Sequence, residues 1–428
     1  MDIGETDALR PRIQPDAAPP FAENPSTHAH AGVVFLQDGA LEAAREQFEL
    51  ALAADPSCKQ AHAGLYYALS GLGDRHTAAS HLARALQLHA VITLPFHGGG
   101  SPVSILLLLS INAGNVLIQR FLNDRIFQTH LVIAEFYEDR MPLPPHDLAI
   151  NGIGDADVRA EALSVAESIL ARSSAPAINK PAAVRETGRC GNAERLSGLP
   201  GVVTPRTMTL PRARLTGCHA LEELAAQGFE FPLLLRAPGF HMGQHFVCVK
   251  DPGNLADELS QLPGDDLIVL QYLDGRGADG YIRKYRVLFI DGRLYPVHAA
   301  VSSRWKIHYF SAEMATHPER RAEDSAFLAD MENVLGPQTT ATLHRVQAAL
   351  GLDYAGIDFG LNRKGEVLLF EANATMAVYR AGPDACWDYR RSAVERIYAA
   401  VQQMVMNRAR HRDGSRCGDG SLHVQGAT

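Results

Sequence analysis

In Asp358-Phe-Gly-Leu-Asn-Arg-Lys-Gly-Glu-Val-Leu-Leu-Phe-Glu371-Ala-Asn373, the carboxylates of Asp358 and Glu371 and the carboxamide of Asn373 are spaced to meet on one face. If Arg363 and Lys364 form the turn of a β-hairpin, Asn362 pairs with Gly365 and Asp358 faces Leu369. Glu371 then lies diagonally from Asp358 on the same face, about 7–8 Å away. Asn373 shares the parity of Glu371 and points the same way. Oxygen ligands converging on such a gap suit a hard cation, and magnesium commonly combines a partial protein shell with phosphates and water. The competing reading is a pair of solvated hairpin acids. Against it, Glu371 ends an apolar strand, Val367-Leu-Leu-Phe370, and small residues follow, as expected of a site at a strand's end.

The set Asp358, Gly360, Glu371 and Asn373 resembles the metal-ligand signature of the ATP-grasp superfamily, to which glutathione synthetase, D-alanine–D-alanine ligase and the ribosomal-protein glutamate ligases belong. The resemblance covers roughly residues 101–400. It implies an α+β ATP-grasp fold, two subdomains gripping ATP, preceded by a small parallel α/β pre-grasp domain. It also implies ATP and Mg2+ as cofactors.

Further residues take roles from that resemblance. Strand Phe231–Arg236 runs into a loop holding Gly239, His241, Gly243 and His245. Glycines there let backbone N–H groups approach phosphate oxygens, beside the guanidinium of Arg236. The family commonly has lysine at that position. Gln271, Tyr272 and Leu273 resemble the hinge strand whose backbone reads the adenine edge, where the family often has glutamate in place of Gln271. Arg286 resembles the arginine aimed at the transferring phosphate, where a positive group offsets developing charge. As a bare run, Arg283, Lys284 and Arg286 equally fit a solvated face. The region after Pro296 is where the family contacts its acceptor, which makes His298, Trp305, Lys306 and His308 substrate candidates. Arg189, with Lys180 as competitor, resembles the basic side chain that reaches the nucleotide at the entry to the grasp region.

The implied activity is an ATP-dependent carboxylate–amine ligase working through an acyl phosphate, on small-molecule or peptide substrates. Positioning and electrostatics carry such phosphoryl transfer. Two alternatives remain: a small-molecule kinase of the same fold, and a non-catalytic repeat adaptor with a degenerate nucleotide fold.

The elements that must position these residues follow from periodicity. Strands over Ser104–Ser110, Gln128–Phe136 and Asp147–Asn151 alternate with helices over Gly114–Asn123 and Asp157–Arg172, the latter capped by Asp155 or Asp157; a short strand, Ala177–Asn179, follows. Alternation of this kind predicts a small parallel sheet. Phe231–Arg236, His245–Lys250 and Leu267–Tyr272 read as strands, with helix Leu255–Leu262 before the last. Tyr281–Phe289 and Arg293–Ala299 form a hairpin around Asp291-Gly292. Helices near 321–334 and 338–350 lead into the hairpin at 353–371.

Upstream, residues 27–95 read as helical. Ala44, Phe48, Ala51 and Pro56 follow tetratricopeptide-repeat spacing, with Gly32 at the small position and a second copy at Ala78, Leu82 and Ala85. Two repeats are fewer than a free-standing solenoid needs. The unit is either a peptide- or protein-docking groove or a plain helical hairpin. The expected organisation is a flexible leader at 1–26, the repeats at 27–95, a pre-grasp domain at 101–181, the ATP-grasp domain at 182–405 and a flexible tail at 406–428.

Apolar residues make up 46% of the 428-residue chain and charged residues 21%, which predicts a multi-domain globular protein. The net charge of −8 gives no basic footprint for nucleic acid. The opening residues lack the apolar core of a signal peptide, and the longest apolar run, Val103–Ile111, is too short to span a bilayer. Six scattered cysteines without a C-x-x-C pair fit reduced thiols and a cytoplasmic location.

Overall fold

The computed structural model describes residues 25–37, 40–87, 91–111, 114–138, 141–240, 243–307, 309, 312, 314–380, 382 and 384–414. The leader at 1–24, His308 and the tail from 415 lie outside that set. The chain divides into two units, Met1–His89 and Ala90–Thr428.

The first unit holds four helices, α1 (Pro25–Gln37), α2 (Leu41–Ala54), α3 (Lys59–Leu72) and α4 (Arg75–Gln87). Phe48 is its fully buried plug. A β carbon at Gly32 would stand 2.6 Å from the Phe48 ring, and one at Gly64 2.1 Å from it. The aromatic ring therefore lies between two helices that only glycine allows to approach so closely. Ala44, Ala51, Ala61 and Ala68 are fully buried around it. In the second copy Ala78 is buried, while Leu82 and Ala85 are half-buried.

The second unit is mixed α/β, built on three sheets. The first has order β1-β3-β2-β4-β5, from β1 (Val91–Thr93), β2 (Val103–Leu109), β3 (Phe127–Ile133), β4 (Leu148–Asn151) and β5 (Ala177–Ile178). All its pairings are parallel except β1 with β3. Ile105 to Leu108 are all fully buried, the continuous apolar run of a strand covered on both faces. α5 (Ala160–Ala171) crosses between β4 and β5, and α6 (Pro181–Arg185) and α7 (Arg189–Leu196) follow.

The second sheet is antiparallel, β7-β10-β8-β9. β6 (Val202–Val203) precedes it and belongs to the third sheet; β7 (Thr207–Pro211), β8 (Leu233–Arg236), β9 (Phe246–Val249) and β10 (Asp266–Gln271) form it. Helices α8 (Arg212–Thr216), α9 (Ala220–Ala226) and α10 (Leu255–Ser260) fill its connections, and Leu215, Leu224, Leu255 and Leu259 pack on its apolar face.

The third sheet, β12-β11-β13-β14-β6, carries the acidic hairpin. It comprises β11 (Ile282–Ile290), β12 (Arg293–Ser302), β13 (Tyr354–Leu361) and β14 (Val367–Asn373) beside β6. Asp291 and Gly292 join β11 to β12 with φ of 48° and 80°, the paired positive values of a type I′ turn. α11 (Pro318–Ala329), α12 (Met331–Leu335) and α13 (Pro337–Leu350) connect β12 to β13, and α14 (Arg391–Gly414) closes the unit.

Several elements differ from expectation, each for a local reason. Residues 114–123 form no α-helix, only a 3-10 turn at Ile118–Phe121. Asn115 instead bonds the backbone of Ser110 through its carboxamide and bridges to Ile153, the competition by which asparagine breaks helices. α5 starts at Ala160 rather than 157 and has no side-chain cap, because the Asp157 carboxylate accepts from the Arg189 backbone N–H at 3.1 Å. The helix expected over 321–334 is two helices, split where Asp330 turns out to cap Asn333 N–H. Residues 406–414, expected in the tail, continue α14, and Arg408 reaches both Asp291 and Asp353 at 2.8 Å. Among the described residues no helix is long and apolar enough to cross a membrane, and Cys58, Cys190, Cys218, Cys248 and Cys386 are unpaired thiols.

Candidate active site

The acidic hairpin turns on three residues rather than two. Leu361 pairs with Val367, and Asn362 N–H donates to Glu366 O. Gly365, at φ 78°, supplies the left-handed residue that such a loop requires. A one-residue change of register moves every side chain to the other face. Here a β-bulge at Phe370 moves them back, so that Asp358 stands directly across from Glu371 and Gly356 across from Asn373. The two acids share a face as anticipated, but as a direct pair instead of a diagonal one.

Asp358 is 3% exposed. Its neighbour across β11 is Arg286, which donates Nε to Oδ1 at 2.6 Å and Nη2 to Oδ2 at 2.9 Å. Lys284 Nζ donates to Oδ2 at 3.0 Å. Burial alone would raise the Asp358 carboxyl, but Arg286 and Lys284 outweigh it and hold the group well below the usual carboxylate range. Strand alternation divides the basic run: Arg283, facing the other way, pairs with Asp279 and Glu323.

Glu371 takes Arg189 Nη2 at 2.7 Å and Asn373 Nδ2 at 3.0 Å, both on Oε1. Burial pushes this carboxyl up, and Arg189, with Arg236 and Arg286 farther off, brings it below its ordinary value despite the repulsion of Asp358. Arg189 opens α7, its own charge favoured chiefly by Glu371. Its Nε also lies 3.7 Å from Asp157, whose carboxyl burial raises. Asn192, one turn on, donates to Ala372 O at 2.6 Å and so pins β14 between Glu371 and Asn373. Asn373 Oδ1 accepts from both Thr375 N–H and Thr375 Oγ1 at 2.9 Å.

Glu371, Asn373, Arg189 and Asp157 border a cleft lined by the β4–α5 loop (Gly154 to Asp157), Arg189 and Asn192 of α7, Thr207, Leu270, and β14 from Leu369 to Asn373; Asp358 lies behind Glu371 on the next strand. The loop joining β8 to β9 stands close by: a β carbon at Gly239 would lie 3.8 Å from Val158. Gly239 and Gly243 have φ of 79° and 72°. Arg236, at the loop's base, is 8% exposed, donates to Phe240 O and stacks its guanidinium over Phe246. Burial, then the charge of Arg189, lower its pKa to about 10. Lys306 donates to Phe246 O at 3.0 Å and touches the Gly243 position, and Trp305 meets the Phe246 ring edge-on. Burial and Arg236 lower the Lys306 ammonium.

The remaining candidates separate. His298 is the β12 neighbour of Arg286, 6% exposed and packed on Tyr309, with Nε2 buried and unpartnered. Burial first, then Arg286, keep its imidazole neutral far below its ordinary value. Gln271 turns its side chain to the backbone of Glu230 and Pro232 rather than to the cleft. Among the described residues, the backbone groups of Tyr272 and Leu273 beside it form no hydrogen bond. Lys180 is exposed at the start of α6, so Arg189 is the basic residue at the carboxylates. His308 lies outside the described residues. Sequence reasoning passed over Lys284, Asp157 and Asn192; Lys284 shares the strand parity of Arg286, a signal that period-two alternation already carries.

No family model matches the sequence, and no curated protein matches it. Among solved structures the chain is similar to the VanG D-Ala:D-Ser ligase from Enterococcus faecalis, at 12% identity over 72% of this chain and 100% of that one, with a TM-score of 0.45. It is similar to the D-alanine–D-alanine ligase from Bacillus anthracis complexed with ATP, at 12% identity over 74% and 100%, TM-score 0.45. A third likeness is to the ATP-grasp ligase PsnB complexed with a precursor peptide and AMPPNP, at 14% identity over 72% and 99%, TM-score 0.42. Similarity at this level leaves the chemistry to be argued from the chain's own residues.

Proposed function

We propose that residues 90–414 form an ATP-grasp ligase that joins a carboxylate to an amine. The observation that carries this reading is the direct pairing of Asp358 with Glu371 on adjacent strands, with basic residues on either side and a glycine loop nearby. Two opposed carboxylates suit a hard divalent cation. Among the described residues no three His, Cys, Asp or Glu side chains converge on one point, so Asp358 and Glu371 would hold such a cation together with oxygens supplied by the nucleotide and water. Asn373, whose Oδ1 accepts from the Thr375 N–H and hydroxyl, would be the third protein residue available to hold such a cation. Bound magnesium supplies charge neutralisation at the phosphates.

The chain's own residues do the rest. Arg236 and the loop around Gly239 and Gly243 hold phosphate oxygens; the unpaired backbone of Tyr272 and Leu273 offers donors and acceptors to a base edge. Arg286 neutralises charge as a substrate carboxylate oxygen bonds the γ-phosphorus and ADP leaves. The acceptor amine then bonds the acyl carbon, phosphate leaves, and the amine gives up a proton. His298, Trp305, Lys306 and His308 stand on the stretch assigned to the acceptor. The helical unit is proposed to present a peptide or protein substrate, and a cytoplasmic setting fits free thiols.

Thermal shift with Mg-AMPPNP tests nucleotide binding. The wild type is expected to rise in melting temperature while Glu371→Ala does not. A wild type indifferent to the nucleotide would sink the proposal.

A further inference from the structure

Resting on the nucleotide reading above, we infer that Lys284, Arg286 and Arg189 act as a counter-ion lock, holding the acidic pair closed to a divalent cation until a polyphosphate draws them away. Every strong contact of Asp358 is already taken: Arg286 grips both oxygens and Lys284 shares one. Glu371 is held by Arg189, which Asp157 also faces. The three carboxylates Asp358, Glu371 and Asp157 are thus matched by three cations in a cluster that runs from buried at Asp358, through half-buried at Glu371, to exposed at Asp157. Asp155 and Arg159, both packed on Gly114, carry opposite charges.

A free divalent cation offers this cluster nothing. It would place further positive charge among groups already neutralised, and would leave Lys284, Arg286 and Arg189 without partners in a medium where unpaired charge is costly. A nucleoside triphosphate reverses the balance. Its phosphate oxygens give those side chains a new acceptor, which frees the carboxylates for the cation that accompanies it. Arg236 and Lys306 supply the attraction that brings the polyanion in. Neither has a carboxylate partner among the described residues; both bond only to backbone carbonyls, at Phe240 and Phe246. The cation and nucleotide are therefore bound as a coupled pair, and Lys284 is assigned to the nucleotide site.

Manganese serves as the probe, followed by water-proton relaxation enhancement, which separates cation held on the protein from cation free or on nucleotide alone. The full chain is titrated with Mn2+ in the presence and absence of AMPPNP. The expected result is Mn2+ affinity roughly 100-fold weaker without the nucleotide, with AMPPNP affinity depending on Mn2+ by the same factor. Arg189→Gln, which releases the more exposed carboxylate, narrows that gap to about 10-fold by strengthening Mn2+ binding in the absence of nucleotide. Equal Mn2+ affinity with and without AMPPNP in the wild type overturns the lock while leaving the nucleotide site standing. An unchanged gap in Arg189→Gln, with a melting temperature near wild type, overturns the assignment of Arg189 to it. Absence of AMPPNP binding under every condition overturns the parent reading instead.

Discussion

Asp358 and Asp324 are both almost completely buried beside the same sheet, yet they are satisfied in opposite ways. Asp358 sits between two cations, Arg286 and Lys284. Asp324, fully buried on α11, accepts from neutral donors: Ala299 N–H at 2.7 Å, Tyr309 hydroxyl at 2.9 Å and Tyr389 hydroxyl at 2.7 Å. One carboxyl is therefore held below the usual range by its counter-ions, and the other is raised by burial that its neutral donors and Arg390 only partly offset. The Asp324 arrangement ties the edge strand β12 to α11 and to the 3-10 turn at Ala385–Arg390. It has the form of a brace. The Asp358 arrangement concentrates paired charge directly across from Glu371, which borders the cleft.

The largest difference should appear on truncation. Asp358→Ala strips Arg286 and Lys284 of their partner and is expected to cost about 3–5 kcal/mol in urea unfolding. Asp324→Ala deprives the Ala299 amide of its acceptor while the Tyr309 and Tyr389 hydroxyls keep each other at 3.1 Å, and should cost less, about 1–3 kcal/mol. Reversal of that order would break the comparison.

Acid titration sharpens it further, because the two groups tilt stability in opposite directions. Asp358 has a folded pKa below its ordinary 3.8, so its contribution is full well above that value, drains away as pH falls past it, and is gone once pH has fallen through the lower folded value. Asp324 has a raised folded pKa, so its contribution is fully present below 3.8 and is lost as pH rises through the folded value. Measured between pH 3 and 6, Asp324→Asn should therefore lose stability relative to wild type as pH falls, whereas Asp358→Asn should recover stability relative to wild type toward pH 3, where the unfolded Asp358 carboxyl takes up a proton and the folded one does not. The smallest effect is expected from Tyr389→Phe, about 1 kcal/mol in thermal unfolding; a change confined to nucleotide binding would place that tyrosine in the site rather than the brace.

How much of this was legible in the sequence depends on which contacts decide each feature. The hairpin and the shared face of Asp358 and Glu371 were readable, although by two one-residue departures that cancel: the loop at Gly365 and the bulge at Phe370. The continuous apolar run also sufficed to read β2, and the Asp291-Gly292 turn sufficed to read β11 and β12. The helix expected at 114–123 failed because Asn115 bonds Ser110 and meets Ile153, a partner nearly forty residues away. Asp157 reads as a helix cap until α7 brings Arg189 against it. Gln271 looks like a nucleotide contact until the loop at Glu230 folds over its carboxamide. Long-range partners of this kind leave no local pattern. Lys284 was different, since its parity with Arg286 was visible throughout.

The proposal at the centre of this structure is that Asp358 and Glu371 serve nucleotide chemistry. The most direct test is single-turnover ADP formation from Mg-ATP with a pool of amino acids and peptides, comparing wild type with Glu371→Gln. ADP and phosphate are expected to form together in the wild type, at a rate on the order of 10³-fold higher than in the folded variant. A Glu371→Gln protein that turns over at the wild-type rate would contradict it.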